Sequence, residues 1–310
     1  MSGEHDQSKT KYHVTDEVKN SVLCKVLMLD GTDFKVHIHK NAIGQVLFLK
    51  SCEHLSLLEK EYFSITFKEA NGTKVWLQHD KPIAKQLNKL KWEFSFEVKF
   101  YPQDPCNLKE ELTRYQMYLQ VRVDILAGRL LCSHHANAIL GGYACQSQLG
   151  DWDPNEHDQG FEYVKNLKFC PGQTDDLIEA IAEQHKDNHG MEAAEAEYRY
   201  LENVRTMSLY GVHMINARDE DHRQVSLGIC ADGLLVFMER IRLHRYVWAK
   251  IMKIAYKRNK FTIHVRPDSP KEPIPLVVYH LLNYKTAKRT WRLAVEHHMF
   301  FRYLFIDVFV

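Results

Sequence analysis

The stretch that decides the fold is Trp92-Glu-Phe-Ser-Phe-Glu-Val-Lys-Phe-Tyr-Pro-Gln-Asp-Pro105. Large apolar residues alternate with polar ones over residues 92–100, and this period of two is typical of a half-buried β-strand. Pro102 and Pro105 follow directly and interrupt regular structure. The sequence therefore predicts that one β-rich lobe closes here and that a different kind of lobe begins.

The residues before this strand predict a small lobe of strands and one helix. Two alternating apolar runs flank Asp30-Gly31, which is a strong pattern for a β-hairpin. Apolar residues at helical spacing predict a helix over residues 43–57, and short strands are predicted between residues 61 and 77. We expect residues 20–102 to resemble a ubiquitin-like β-grasp lobe, preceded by a disordered polar tail at residues 1–19.

Helical periodicity replaces alternation in the next part of the chain. One apolar stripe recurs at three- and four-residue steps along a long predicted helix and consists of Leu108, Leu112, Tyr115, Leu119, Val123 and Leu126. Further helical patterns cover residues 136–148, 175–186 and 191–207. We expect residues 103–207 to form an all-helical lobe, whose second half is acidic, with fourteen Asp/Glu against four Lys/Arg between residues 151 and 202.

Strand-like runs return in the last part of the chain. Short apolar or alternating runs lie between residues 225 and 282, and a helical stripe follows over residues 284–305. Asn283 is a suitable N-cap for that helix. Strands closed by one C-terminal helix predict a PH/PTB-like β-sandwich lobe at residues 208–305, followed by a short tail at residues 306–310.

The strongest chemical feature is a basic stretch within this third lobe. Residues 240–266 contain nine Lys or Arg and no Asp or Glu. The nine are Arg240, Arg242, Arg245, Lys250, Lys253, Lys257, Arg258, Lys260 and Arg266. Because basic side chains are attracted to anionic lipid, the stretch predicts membrane contact. The alternative is that strand alternation simply turns these side chains to solvent.

Composition excludes several other classes of protein. The chain has 310 residues with 41 Lys/Arg and 40 Asp/Glu, so its net charge indicates no partner. The basic stretch lacks the context of a nucleic-acid-binding fold, and we expect no nucleic-acid partner. Seven scattered cysteines without a CxxC pair predict reduced thiols in the cytosol. No signal peptide and no apolar run of about 18–20 residues occurs, so we expect membrane contact to be peripheral.

Enzyme motifs are absent from the sequence. It contains no HExxH, no P-loop, no GxSxG and no HCxxxxxR. Gly141-Gly142 lies in a helical pattern, which favours close helix packing over phosphate binding. We therefore expect no catalytic residue, no metal and no cofactor.

Several of these stretches together resemble FERM domains. The quoted stretch is similar to the end of a FERM first lobe, and Leu108-Lys-Glu-Glu-Leu-Thr-Arg-Tyr-Gln-Met-Tyr-Leu-Gln120 is similar to the start of the second. Gln146-Ser-Gln-Leu-Gly-Asp-Trp-Asp153 is similar to the family element QSELGDYD. Within the family, Cys24-Lys-Val-Leu-Met-Leu-Asp-Gly31 and Cys52-Glu-His-Leu-Ser-Leu-Leu-Glu59 are most similar to the protein 4.1 branch.

The resemblance implies an α+β fold, the three-lobed FERM cloverleaf. Its lobes would be ubiquitin-like, acyl-CoA-binding-protein-like and PH/PTB-like. The resemblance also implies a phosphoinositide headgroup site that takes basic residues from the first and third lobes, here Lys81, Lys85, Lys257 and Arg258. Ala84 stands where protein 4.1 members usually have a second lysine.

A PTB-like lobe implies a peptide groove between its fifth strand and its C-terminal helix. In this chain the groove residues would be Ile254, Tyr256, Trp291, Val295 and His298. An extended tail would pair with the main chain of the strand, and the helix would shape side-chain pockets. The alternative for Trp291 and Val295 is that they face the core of the sandwich.

The first lobe carries a second implied binding element. Leu58-Glu-Lys-Glu-Tyr62 resembles the LEEDY element that protein 4.1 uses for anion-exchanger tails. The implied tail-binding residues are Leu58, Glu59, Glu61 and Tyr62, while Lys60 reverses one charge of that element. The alternative is a plain connection between a helix and a strand.

These features predict a non-enzymatic adaptor between membrane and cytoskeleton, located at the cytoplasmic face of the plasma membrane and at cell junctions. Its expected partners are cytoplasmic tails of transmembrane proteins, phosphoinositide membrane, a membrane-associated guanylate-kinase scaffold and calmodulin. Spectrin and actin binding would require a longer isoform. Two alternatives stay open: the targeting module of a longer enzyme such as a non-receptor tyrosine phosphatase, and a junction or polarity scaffold without an actin link.

Overall fold

The structure is a computed structural model. It describes residues 20–155, 157, 160–239, 241–267, 269 and 273–307, with side chains as far as Arg302. The predicted tail at residues 1–19 and the basic residue Arg240 lie outside the described residues. No helix among the described residues combines the length and the apolar character needed to span a bilayer.

The first lobe is a five-stranded sheet packed against one longer helix. Its elements are β1 (Ser21–Leu27), β2 (Asp33–His39), α1 (Gly44–Leu55), β3 (Phe63–Lys68), β4 (Lys74–Trp76), α2 (Ile83–Leu87) and β5 (Glu93–Val98). The strand order is β2-β1-β5-β3-β4, with β1 and β5 parallel and the other pairs antiparallel. The alternating residues 92–100 therefore contain β5, which is the central strand of the predicted β-grasp sheet.

Local chemistry explains why these strands form where they do. Gly31 has φ 86°, a left-handed conformation that glycine adopts readily, and the Asp30 carboxylate accepts the Thr32 amide hydrogen at 2.9 Å. The alternation in β5 buries Phe94 and Phe96 on one face. Phe96 stacks near Phe48 of α1, with 6.4 Å between ring centroids, so the sheet and the helix share one apolar core.

The second lobe is helical in its described residues. Its helices are α3 (Glu111–Leu126), α4 (His134–Leu149), α5 (Glu162–Lys165), α6 (Asp175–Asp187) and α7 (Ala193–Val204). The Ser133 hydroxyl caps α4 by accepting the Ala136 amide, and the Thr174 hydroxyl caps α6 by accepting the Leu177 amide. The predicted helical lobe is confirmed.

The QSQLGDWD stretch has a structural role in this lobe. The Gln146 side chain donates to the Asp151 carboxylate and to the Met191 carbonyl, both at 2.7 Å. His185 of α6 donates from Nε2 to the Gly150 carbonyl, while its Nδ1 accepts the Tyr163 hydroxyl. Burial lowers the pKa of His185, which agrees with a neutral ring that both donates and accepts. These bonds hold the α4–α5 connection against α6 and against the segment between α6 and α7.

The predicted apolar stripe of α3 is wrong at its C-terminal end. Val123 and Leu126 are each 37% exposed, whereas Gln120 and Asp124 are buried. The Gln120 side-chain oxygen Oε1 accepts the Val98 amide hydrogen at 2.8 Å, and the side-chain Nε2 donates to the Asp124 carboxylate at 3.0 Å. A polar residue can face the interior when its hydrogen bonds are satisfied there, so the helix is rotated relative to its apolar stripe.

The first two lobes form one compact unit and the third lobe forms another. The first unit holds the described residues up to Lys99 together with Pro105–Val204, and the second holds Phe100–Asp104 with the described residues from Arg205 onward. The Val98–Gln120 hydrogen bond joins β5 to α3 within the first unit. Tyr101 belongs to the second unit, where its ring lies 5.7 Å from that of Tyr210.

The third lobe is built from antiparallel strands and one long helix. Its elements are β6 (His213–Arg218), β7 (Gln224–Cys230), β8 (Gly233–Met238), β9 (Ile241–Val247), β10 (Ile251–Lys257), β11 (Lys260–Val265), β12 (Leu276–His280) and α8 (Tyr284–Asp307). The strand order is β10-β11-β12-β6-β7-β8-β9. A single residue pair, His280 with Arg218, joins β12 to β6, so a three-stranded and a four-stranded layer meet there.

Strand β6 and the last part of α8 differ from the sequence prediction, and the cap of α8 agrees with it. Strand β6 was not predicted, because its most buried inward residue is the small Ala217 and Met214 is 41% exposed, so the alternation is weak. Asn283 does cap α8, since its side-chain oxygen accepts the Thr286 amide at 2.9 Å. Helix α8 continues to Asp307, past the predicted start of the tail at residue 306.

Candidate functional site

Strand β10 lies at one edge of the third-lobe sheet. Among the described strands it pairs with β11 alone, and α8 packs beside it. An edge strand presents main-chain N–H and C=O groups that another extended chain can bind. This edge is therefore the candidate binding site, and the predicted groove residues can be located around it.

Trp291 of α8 makes the contact that defines this edge. Its indole N–H donates to the Ile254 carbonyl of β10 at 3.0 Å. A residue in an antiparallel strand directs its N–H and C=O to the same side, so the Ile254 N–H also faces away from β11. One acceptor of the edge is thus already bound by an aromatic side chain, while the neighbouring donor is directed outward.

An aromatic cluster lies beside the β10 edge. The Tyr256 ring lies 5.3 Å from the Trp291 ring and 5.8 Å from the Tyr284 ring, measured between centroids. Tyr284 is 52% exposed and is the first residue of α8. The sequence prediction did not include Tyr284, although it adjoins the Asn283 cap.

The remaining predicted groove residues follow along the same face of α8. Val295 lies one turn after Trp291 and is half-buried. His298 lies near Trp248, with 5.5 Å between ring centroids, in the turn that precedes β10. Burial, followed by the charge of Arg302, lowers the pKa of His298 and favours its neutral form.

The predicted headgroup residues fall into the two compact units. Lys81 and Lys85 belong to the first unit, where the Lys81 carbonyl accepts the Gly44 amide and Lys85 lies in α2. Lys257 and Arg258 belong to the second unit and are exposed where β10 turns into β11. Lys85, Lys257 and Arg258 are exposed, and Lys81 is half-exposed.

The element at Leu58–Tyr62 is partly engaged within the chain. The Glu110 carboxylate accepts the Leu58 and Glu59 amides at 3.1 and 3.3 Å, and the Glu59 carboxylate accepts the Glu110 amide at 3.0 Å. Tyr62 is buried, whereas Leu58 and Glu61 are exposed. Glu59 therefore holds this connection against the start of α3, Tyr62 is buried, and Leu58 and Glu61 are the members that face solvent.

This reciprocal pairing predicts that Glu110→Gln lowers the free energy of unfolding by about 2 kcal/mol at neutral pH, because charge-assisted hydrogen bonds to backbone amides are lost. Burial alone would raise the pKa of Glu110, but bonds from Thr113 and from the Leu58 and Glu59 amides lower it. Its stabilisation is then present above the unfolded carboxyl pKa and is lost as pH falls through the lower folded value.

The measurement is urea unfolding of both proteins at several pH values between neutral and acidic. The wild-type advantage over Glu110→Gln should shrink in acid. Glu111→Gln is the matched control, since Glu111 is the adjacent exposed carboxylate at the same helix start. Equal stability of the Glu110 and Glu111 variants at neutral pH would contradict the assignment.

Three family models match the chain in sequence order. The FERM N-terminal domain matches residues 26–89, the FERM central domain residues 103–214, and the FERM C-terminal PH-like domain residues 219–305. The chain belongs to the FERM family. The family resemblance identified in the sequence is thus confirmed, and so is the three-lobed fold that it implied.

Curated relatives of this FERM chain are protein 4.1 proteins. Band 4.1-like protein 3 of Homo sapiens is 46% identical over 284 residues, which are 92% of this chain and 26% of that protein. Protein 4.1 of Bos taurus is 43% identical over 279 residues, which are 90% of this chain and 45% of that protein. The chain therefore spans less than half the length of these relatives.

Solved structures share the FERM fold at lower identity. The FERM and C-terminal domain complex of Drosophila Merlin superposes with TM-score 0.81 at 23% identity, covering 91% of this chain and 97% of that chain. The human Myosin 7b C-terminal MyTH4-FERM domain, in complex with the harmonin-a PDZ3 domain, gives TM-score 0.63 at 14% identity, covering 90% and 60%.

Proposed function

We propose that this FERM domain is the membrane-facing part of a non-enzymatic adaptor that links transmembrane proteins to the cytoskeleton. The observation that carries the proposal is the β10 edge, where an outward main-chain donor at Ile254 lies beside the aromatic side chains of α8, Tyr284 and Trp291. The similarity to protein 4.1 proteins supports the linker role. The place of action would be the cytoplasmic face of the plasma membrane, including cell junctions.

The ligand of the β10 edge would be an extended cytoplasmic tail of a transmembrane protein. Added as an antiparallel strand, it would accept the Ile254 N–H and would place an apolar side chain against Tyr256, Tyr284 and Trp291. Lys253 and Lys257 lie on the same strand and favour a tail with acidic residues. Leu58 and Glu61 would offer a second, smaller contact in the first lobe.

Lipid would be the second ligand class of the adaptor. Lys81, Lys85, Lys257 and Arg258 are proposed to contact phosphoinositide headgroups, as the family resemblance implies. Binding of spectrin, actin, calmodulin or a guanylate-kinase scaffold stays a further proposal, since it concerns the longer relatives as much as this chain. Solved FERM neighbours that carry protein partners, a PDZ domain or a C-terminal domain, support partner binding as a use of the fold.

The proposed tail site predicts that Ile254→Pro weakens tail binding at least tenfold. Proline removes an N–H that points away from β11, so the β10–β11 ladder is retained while the outward donor is lost. Binding is measured by titrating synthetic peptides of juxtamembrane cytoplasmic tails, and the amide resonances of Ile254 and Tyr256 should shift by NMR.

Ile254→Val is the matched control, because it keeps the N–H and most of the side chain. It should bind the same peptides within about twofold of the wild type. The proposal fails if no peptide perturbs the β10 amides, or if the proline and valine variants bind alike.

A further inference from the structure

One row of the third-lobe sheet carries basic side chains on four successive strands. Lys257 of β10 pairs with Lys260 of β11, Lys260 pairs with His280 of β12, and His280 pairs with Arg218 of β6. Cross-strand partners project from the same face of a sheet. The neighbouring row of Phe261, Tyr279 and Ala217 is buried, so the basic row is on the outer face.

The charges of this basic row do not stabilise the sheet. Like charges directly opposite each other in a sheet are destabilising, and Lys257 faces Lys260. None of the salt bridges among the described residues involves Lys257, Arg258 or Lys260, whereas Arg245 at the other edge is paired with Asp232 at 3.0 Å. A charge pattern that opposes the fold and lacks internal partners is better explained by an external anion.

The charge is concentrated at the β10–β11 end of the row. At the other end, Arg218 is followed by Asp219, Glu220 and Asp221, and Arg223 pairs with two of these carboxylates. An anionic surface is therefore attracted to the β10–β11 turn and repelled from the β6–β7 turn, which fixes the orientation of approach.

A protruding leucine stands beside this turn. Leu282 is 85% exposed and lies between β12 and α8. Its backbone is held on both sides, because the Leu281 amide donates to the Asn259 carbonyl at 2.8 Å and Asn283 caps the helix. The Asn259 side chain also donates to the Leu281 carbonyl at 3.3 Å. Leu282 is thus held in an exposed position, next in sequence to a residue bonded to the β10–β11 turn. Transfer of its apolar side chain out of water would be favourable.

We propose that the β10–β11 turn and Leu282 together form an insertion site for an anionic lipid bilayer. Lys257, Arg258 and Lys260 contact lipid phosphates, and Leu282 enters the apolar boundary beneath the headgroups. A bilayer fits better than an acidic peptide, because Leu282 is 85% exposed and a bilayer offers an apolar layer directly beneath its anionic headgroups. This inference rests on the proposed membrane role and specifies the surface, the orientation and an apolar contact.

The test is co-sedimentation of the 310-residue chain with vesicles. The vesicles are phosphatidylcholine alone, and phosphatidylcholine with phosphatidylserine or with phosphatidylinositol bisphosphate at matched surface charge. Leu282→Ser should lower the partition coefficient about fivefold on both anionic vesicles. Lys257→Glu/Lys260→Glu should lower it at least twentyfold, since each basic residue contributes about fivefold.

Strand β9 supplies matched controls at the opposite edge of the same sheet. Ile241 is 68% exposed and Arg242 is exposed beside it, and Ile241→Ser and Arg242→Glu should leave vesicle binding unchanged. In Leu282→Trp, brominated lipid should quench more fluorescence than it does in the wild type. All five variants change exposed side chains, and their unfolding curves should match the wild type.

The outcomes separate this inference from the proposed function. Equal effects of Leu282→Ser and Ile241→Ser, or no added quenching in Leu282→Trp, overturn the insertion site while the adaptor role stands. Binding to phosphoinositide vesicles alone, with displacement by soluble inositol phosphate, also overturns it and indicates a headgroup pocket. If the wild type binds no anionic vesicle, the insertion site and the lipid part of the proposed function both fail.

Discussion

Gly142→Ala is expected to lower the free energy of unfolding by about 2 kcal/mol, although alanine is the better helix former by about 1 kcal/mol. A Cβ at this position of α4 would lie 2.6 Å from the Gln184 Cβ and 3.0 Å from the Gln184 carbonyl carbon of α6. Backbone atoms cannot move aside as a side chain can, so the two helices would have to separate and open the packed core between them. The steric cost therefore exceeds the gain in helix propensity.

The adjacent glycine provides an internal comparison. A Cβ at Gly141 would meet the Ile181 side chain, with Cγ1 at 2.5 Å and Cδ1 at 2.6 Å. A side chain can adjust its rotamer, so Gly141→Ala should cost about 1 kcal/mol and less than Gly142→Ala. Urea unfolding followed by circular dichroism measures both, with His135→Ala as the control at an exposed position of α4. A Gly142→Ala protein as stable as the wild type would contradict the close packing.

Sequence patterns predicted the fold well in those elements whose buried residues are also the apolar ones. The alternation of residues 92–100 located the central strand of the first lobe, and the helical spacing after Asn283 located α8. The Gly141-Gly142 pair indicated close packing, but the sequence could not identify α6 as the facing helix. Identification of a facing element needs long-range contacts, which one sequence does not contain.

Prediction was weaker where polar residues are buried. The stripe assigned to α3 included Val123 and Leu126, which are exposed, and left out Gln120 and Asp124, which face inward. An apolar periodicity cannot detect a glutamine whose hydrogen-bond partner, the Val98 amide, is distant in sequence.

The candidate site was likewise predicted only in part: its strand and helix were predicted, and its side-chain contacts were not. The resemblance to a PTB-like lobe implied that β10 and α8 lie side by side, and Ile254, Tyr256 and Trp291 do lie together. The hydrogen bond from the Trp291 indole to the Ile254 carbonyl and the bond from the Glu110 amide to the Glu59 carboxylate were not predicted. Both depend on side-chain geometry, which a sequence pattern does not give. The basic row likewise depends on register, since Lys257, Lys260 and His280 become neighbours only when the strands pair.

Gln120→Met is expected to lower the free energy of unfolding by about 3 kcal/mol, because it removes both hydrogen bonds of a buried side chain without changing its volume greatly. The Val98 N–H would lose its acceptor inside the protein, and Asp124 would lose one of its donors. Arg129 still binds the Asp124 carboxylate, at 2.6 Å, so the unsatisfied Val98 amide is the larger cost. Since this bond joins β5 to α3, the loss should loosen the first lobe from the second.

Gln120→Glu distinguishes the contribution of the hydrogen bond from Val98 from that of the hydrogen bond to Asp124. A carboxylate at this position can accept the Val98 N–H but cannot donate to Asp124, and it places a second negative charge beside Asp124. Hydrogen exchange at the Val98 amide should therefore accelerate in Gln120→Met and stay slow in Gln120→Glu. The stability deficit of Gln120→Glu should shrink as pH falls toward about 4, because protonation of the new carboxyl removes the repulsion and restores a donor. If Val98 exchanges equally slowly in the methionine variant, the connection between the lobes does not depend on Gln120, and apolar packing alone holds α3 against β5.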